Sequence, residues 1–136
     1  MEDKAIRTIR IAAALIDDEA GRLLLVRKAG TKWFMQAGGK IEDNESPLCA
    51  LRRELSEEIG LLLTDESIRY LGQFSSSAAN EPDHIVEAEI FHVRVQHVPE
   101  PRSEITEAIW VDHADAVAMP LAPLTRDHIL PLSRML

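Results

Sequence analysis

The stretch GKIEDNESPLCALRRELSEEIGL, residues 39–61, carries six acidic side chains (Glu42, Asp43, Glu45, Glu54, Glu57 and Glu58) beside an apolar set of Leu48, Leu51, Leu55 and Ile59. Ser46 can cap a helix, Pro47 suits a first helical turn and Gly60 suits a helix end, so the spacing predicts a helix over Pro47–Ile59. At about 100° per residue, Glu54, Glu57 and Glu58 stand at i, i+3 and i+4 on one face, and the leucines and Ile59 form a neighbouring stripe. Like charges one turn apart repel and destabilise a helix. A chain that tolerates such crowding is expected to seat something positive among the carboxylates. Hard divalent cations such as Mg²⁺ or Mn²⁺ take oxygen ligands from a few carboxylates, with water and substrate phosphates completing the shell. The competing reading is a solvated face in which Arg53 pairs with Glu57 at i+4. Spacing alone does not separate the two.

Outward from this helix, the chain reads as one α/β domain over residues 1–136. Its 46% hydrophobic content suits a globular core. AIRTIRIAAALID and RLLLVRKA read as two buried strands joined by a turn at DDEAG. GTKWFMQAGG reads as a loop with a short extended piece, and IRYLGQFSSS and HIVEAEIFHVRVQHV as two further strands. PEPRSEITE reads as a loop, AIWV as a short strand, and LAPLTRDHILPLSRML as a terminal helix that Pro131 breaks or kinks. The formal charge of −8 argues against a nucleic-acid backbone or an acidic membrane as partner, and an anionic substrate would need local cations. The amino terminus lacks the apolar core of a signal peptide and no run approaches the roughly 20 residues that cross a bilayer, so the expected location is cytoplasmic. The single cysteine, Cys49, reads as structurally neutral.

Gly39, Glu45, Arg53, Glu54, Leu55, Glu57, Glu58, Gly60 and Leu61 together reproduce G-x5-E-x7-R-E-U-x-E-E-x-G-U, where U is a bulky apolar residue. Nine specified positions at fixed offsets resemble the Nudix box in full. The resemblance implies the Nudix fold, an α/β/α sandwich around a mixed β-sheet. It also implies metal-dependent hydrolysis of a nucleoside diphosphate linked to a moiety X, with Mg²⁺ or Mn²⁺ as cofactor. By the same resemblance Glu54, Glu57 and Glu58 are metal ligands, with the backbone carbonyl of Gly38 as a further oxygen. Arg53 orients the carboxylates and Glu45 holds Arg53 or the loop. Nudix enzymes take their general base either from a box glutamate or from a later loop. In SEITEAIW, Glu104 lies where MutT-like members carry an additional metal-binding glutamate and is preferred to Glu107. Glu42 matches an acidic position of electrostatic role.

Substrate contacts are read more coarsely. Arg27 and Lys28 stand where MutT-like members place basic residues near phosphates. Phe34 is a candidate for stacking on a base, with a core contact as the alternative, and Trp33 is equally ambiguous. Asn80 and His84 are candidates for reading a base edge, although their surroundings also spell an ordinary turn. His92, His97, His113 and His128 are assigned nothing. Two departures bear on specificity: Ala37 replaces the usual proline before the glycine pair, and MPLAPLT lacks the asparagine of the branch that removes oxidised guanine nucleotides. Ser76 and Ser77 occupy the offsets where ADP-ribose and dinucleoside-polyphosphate members carry a proline or tyrosine. The leading expectation is therefore a pyrophosphohydrolase of (deoxy)nucleoside triphosphates, giving monophosphate and pyrophosphate. The alternatives are an ADP-ribose or nucleotide-sugar pyrophosphatase, and a non-catalytic nucleotide-sensing domain. A homodimer is open on the same resemblance.

Overall fold

A computed structural model describes residues 6–79, 81–96 and 99–136. The elements are β1 (Arg7–Asp17), β2 (Leu23–Lys28), β3 (Phe34–Met35), β4 (Gly38–Lys40), α1 (Pro47–Ile59), β5 (Ile68–Ser77), β6 (His84–Arg94), β7 (Ile105–Val111), α2 (His113–Ala116) and α3 (Leu130–Ser133). The strands form a mixed sheet ordered β3-β2-β1-β6-β5, with β4 also paired to β1 and β7 to β2. β1 and β6 run parallel over their whole length, from Arg7↔His84 to Asp17↔Arg94. The other pairings are antiparallel.

Side chains alternate across a strand, and in β1 both alternations are apolar. Ala12, Ala14 and Ile16 join Leu51, Leu55 and Ile59 of α1 in one core. Ala13 and Leu15 join Leu121, Ile129 and Leu130 in a second core on the opposite face. A strand buried on both faces reads as a continuous apolar run, and here it is the middle layer of the expected α/β/α sandwich. Among the described residues, no helix is long and apolar enough to cross a membrane.

α1 has the predicted bounds. The Ser46 hydroxyl accepts from the Cys49 N–H at 3.1 Å, and Gly60 ends the helix in the left-handed conformation at φ 66°. Elsewhere the structure differs from the sequence reading. The DDEAG turn joins β1 and β2 only at a corner, Asp17↔Leu23, because β4 occupies the β1 edge further back and β7 takes that of β2. β7 begins at Ile105 rather than at Ala108, which places Glu107 on a strand; Ile105 is buried and its backbone partner is Lys28 across an irregular register step. The short α2 was not anticipated. The terminal helix forms, but its first part, Thr125–Ile129, is a π-helical turn. The Leu130 N–H reaches back to the Thr125 carbonyl just before Pro131, which has no N–H to continue an α-helical ladder.

The cap is directly testable. Ser46→Ala should cost about 1 kcal/mol in urea denaturation, whereas Ser46→Asp, which keeps an acceptor, should restore most of it. Equal midpoints for the wild type and Ser46→Ala would show that the cap contributes nothing.

Candidate functional site

α1 presents its glutamates to the β4 backbone, and the glycine pair makes that approach possible. Gly38 has φ +152°, and a Cβ there would lie 2.3 Å from the Ala12 carbonyl oxygen and 2.6 Å from the Ala13 Cα. A Cβ on Gly39 would lie 2.3 Å from the Glu54 carboxyl carbon. Two bare backbone positions thus let β4 sit between β1 on one side and the Glu54 carboxylate on the other.

Arg53 organises the acidic side chains. Its Nε and Nη2 each donate to Glu45 at 2.8 Å, Nη1 donates to Glu54 at 2.7 Å, and Nη2 also reaches the Lys40 carbonyl at 3.1 Å. Its contact with Glu57, the i+4 pair of the competing reading, is looser at 3.7 Å, and Glu42 stands at 3.9 Å. The Arg53 hydrogen bond, followed by the Glu42 N–H, pulls the Glu45 carboxyl down to about 2. The same pairing to Glu45 raises the Arg53 guanidinium. Charge on both partners is therefore locked over the ordinary pH range.

Glu58 has a different environment. It is 3% exposed and accepts one hydrogen bond, from the Gly38 N–H at 2.9 Å. Burial pushes its carboxyl up to about 7, with smaller upward contributions from Glu54 and Glu104; the Gly38 N–H and Lys28 oppose it. Glu57 remains more than half exposed. Glu104, just before β7, is exposed and lies 3.8 Å from Lys28. Glu107 faces Arg27 across the β2–β7 ladder and accepts its Nε at 2.8 Å, while Arg27 also holds the Thr31 carbonyl at 2.9 Å.

Among the described residues, no three Asp, Glu, His or Cys side chains converge closely enough to hold an ion as the structure stands. Glu54 is engaged by Arg53, Glu58 by Gly38 and Glu57 by solvent. The donor set nevertheless has the chemistry of a hard divalent site: it is all oxygen, and one buried carboxylate carries a raised pKa that a cation would relieve.

Beside this acidic face lies a cleft. Lys28, Gly38, Gly39 and Lys40 border it at the acidic end, and Gln36 and Thr125 line it further along. Of the substrate candidates, Lys28 lines this cleft and Arg27 is committed to Glu107 and Thr31. Phe34 does not line it; its side chain packs against the second core and its backbone is held by Pro120 and Ala122. Asn80 and His97 fall outside the described residues. His84 bonds the Pro82 carbonyl at 2.7 Å, as a turn residue does. Trp33 borders a separate cleft with His113 and Arg134. Sequence reasoning missed Lys40, Gln36 and Thr125; Lys40 adjoins the glycine pair and Gln36 lies two residues before it, so both could have been singled out from that, whereas nothing local marks Thr125.

The raised Glu58 pKa has a consequence for stability. Its native value lies above the ordinary 4.5, so the neutral form favours the folded state. That stability is fully present below pH 4.5 and is lost as the pH rises through about 7. Glu58→Gln keeps an acceptor for Gly38 without the buried charge. With divalent ions chelated, it should be more stable than the wild type at pH 8, by an amount on the order of 3 kcal/mol, and nearly equal to it at pH 4. Thermal unfolding at the two pH values checks this, and a less stable variant at pH 8 would contradict it.

Comparison with known proteins identifies the family and the fold. Residues 7–132 match the family described as NUDIX domain. The chain is 33% identical over 129 residues to a CTP pyrophosphohydrolase of Escherichia coli, covering 87% of this chain and 86% of that protein. It is 34% identical over 127 residues to an 8-oxo-dGTP diphosphatase of Haemophilus influenzae, covering 88% of each. In three dimensions it resembles the crystal structure of a MutT protein from Methanosarcina mazei, with a TM-score of 0.79 over 98% of this chain and 97% of that one at 22% identity, a likeness of fold. Box, sheet and helix-borne glutamates coincide in one chain, which belongs to the Nudix family as a MutT-like hydrolase.

Proposed function

We propose that this chain hydrolyses (deoxy)nucleoside triphosphates between the α and β phosphates, releasing a nucleoside monophosphate and pyrophosphate with Mg²⁺ or Mn²⁺ as cofactor. The observation that carries the reading is the shared wall. The Gly38–Gly39 backbone has the α1 carboxylates against it and also borders a cleft with Lys28 and Lys40. A phosphate chain held over the glycines would reach the acidic face while the rest of the molecule occupies the cleft. The relatives named for CTP and for 8-oxo-dGTP support a triphosphate as substrate.

The residues divide the task. Glu54, Glu57 and Glu58, with the Gly38 carbonyl, would hold the divalent ion, which supplies charge neutralisation of the phosphates and a lowered pKa for the attacking water. Arg53, fixed by Glu45, sets the Glu54 carboxylate. Lys28 and Lys40 attract the phosphates. Glu104 is exposed at the mouth of the site and, among the described residues, its carboxylate holds only the 3.8 Å contact with Lys28, which leaves it available to take a proton from water. Glu107 is committed to Arg27 and serves to brace β2 against β7.

Chelation should abolish hydrolysis, and Mg²⁺ or Mn²⁺ should restore it. Glu57→Gln should lower kcat at least about 100-fold with the fold retained, and Glu104→Gln should lower it more than Glu107→Gln. Chromatographic product analysis on a panel of triphosphates, ADP-ribose and nucleotide sugars decides the substrate. Monophosphate with pyrophosphate is the expected outcome; ribose 5-phosphate from ADP-ribose with triphosphates left intact would replace this reading with the ADP-ribose one.

A further inference from the structure

The cleft beside the glycine pair has apolar walls, with Ile9, Ile11 and Val86 on the sheet side and Ala122 and Leu124 opposite. Of the polar side chains that line it with them, Gln36 and Thr125 are the buried ones. Gln36 is 7% exposed and Thr125 0% exposed, and the Thr125 hydroxyl donates to Gln36 Oε1 at 2.6 Å. Burying a carboxamide costs free energy unless its groups are paired, and an apolar pair of similar shape would serve stability as well. The Thr125 bond satisfies one end only. Among the described residues the Gln36 amide nitrogen has no hydrogen-bond partner, and it is not sealed from solvent. It belongs to a residue that lines the cleft, so the free donor opens there. The Thr125 hydroxyl, bonded at one end of the amide, holds the other end toward the cleft.

We propose that Gln36 reads the edge of a nucleobase: its amide N–H donates to a ring nitrogen or exocyclic carbonyl of a heterocycle lying between the apolar walls, and Thr125 is the positioning residue that aims it. A flat heterocycle suits this site because its faces are apolar and its acceptors lie in the ring plane. The second lone pair of Gln36 Oε1 can accept from an N–H beside that acceptor, as in the paired edges of the common bases. An alkyl group in the same place would leave the amide unmatched, and a sugar ring lacks the flat apolar faces that suit the walls. The proposal rests on the phosphates lying over Gly38 and Gly39 as proposed above, and it assigns the rest of the cleft to the base.

Calorimetric binding to the full chain with Mg²⁺ separates the two. The probes are the α,β-methylene analogues of the four ribonucleoside triphosphates and a base-free counterpart, the same triphosphate chain on 1-O-methylribose. At least one nucleoside probe should bind the wild type about tenfold or more tightly than the base-free probe. Gln36→Leu should bring that ratio close to one. Thr125→Val should reduce it too and Thr125→Ser should preserve it, with turnover changes falling on KM rather than kcat. A ratio near one in the wild type, or an unchanged ratio in a folded Gln36→Leu protein, would overturn the assignment. Base-dependent binding without any triphosphate hydrolysis would instead sink the pyrophosphohydrolase reading and leave the Gln36 assignment standing.

Discussion

The absence of side chains at residues 38 and 39 is the constraint on which the site depends. A Cβ at either position would overlap β1 backbone or the Glu54 carboxylate, so the glycine pair sets how closely the sheet, β4 and α1 can approach one another. That distance lets the Gly38 N–H reach Glu58. It also leaves the other side of the same backbone facing the cleft. Ala37 carries part of this arrangement, since it is buried and its carbonyl accepts from the Ala14 N–H. A proline would offer the same carbonyl, and replacing it with alanine removes no bond that the site uses. The cost of the substitution is greater backbone freedom in the unfolded chain.

The crowding of carboxylates on α1 and the loop before it is tolerated by three different means. Glu45 and Glu54 are neutralised by one guanidinium that also bonds a backbone carbonyl. Glu57 is left to solvent, where water screens it. Glu58 is neither paired with a cation nor solvated, and its charge is accordingly the costly one. A divalent ion at this face would therefore gain most from Glu58, the ligand whose ionisation the protein alone supports least.

The sequence exposed the parts of the structure that are specified locally. Ser46, Pro47 and Gly60 bound α1 because caps act over three or four residues, and the apolar, β-branched run of β1 marked it as a buried strand. Features set by distant partners were hidden. The early start of β7 follows from its pairing with β2, and the corner-only contact of β1 with β2 follows from β4 taking the adjacent edge. The same holds at the site. Arg53, Glu45 and Glu54 belong to one short segment and their association was legible from the box, whereas Gln36 and Thr125 are separated by 89 residues and meet only in the fold. Phe34 shows the opposite error: an aromatic close to the glycines invites a stacking role, but its side chain packs into the second core, and it is Gln36, two residues on, that lines the cleft.

The distribution of cations bears on how an acidic protein can attract an anionic substrate. Of the basic residues near the site, Arg53 is consumed by Glu45 and Glu54, and Arg27 by Glu107. Among the described residues, Lys28 keeps one ion pair, a long contact with Glu104, and Lys40 has none. Against a net charge of −8, two lysines at the cleft rim provide limited attraction for a triphosphate. Most of the neutralisation must then arrive with the divalent ion, whether bound first by α1 or carried in on the phosphates. On the proposed triphosphate reading, the acidic face would favour the metal complex of the substrate over the bare anion. Base recognition as proposed, at the far side of the glycine pair, can vary without disturbing that charge balance, because Gln36 and Thr125, which would carry it, are neutral.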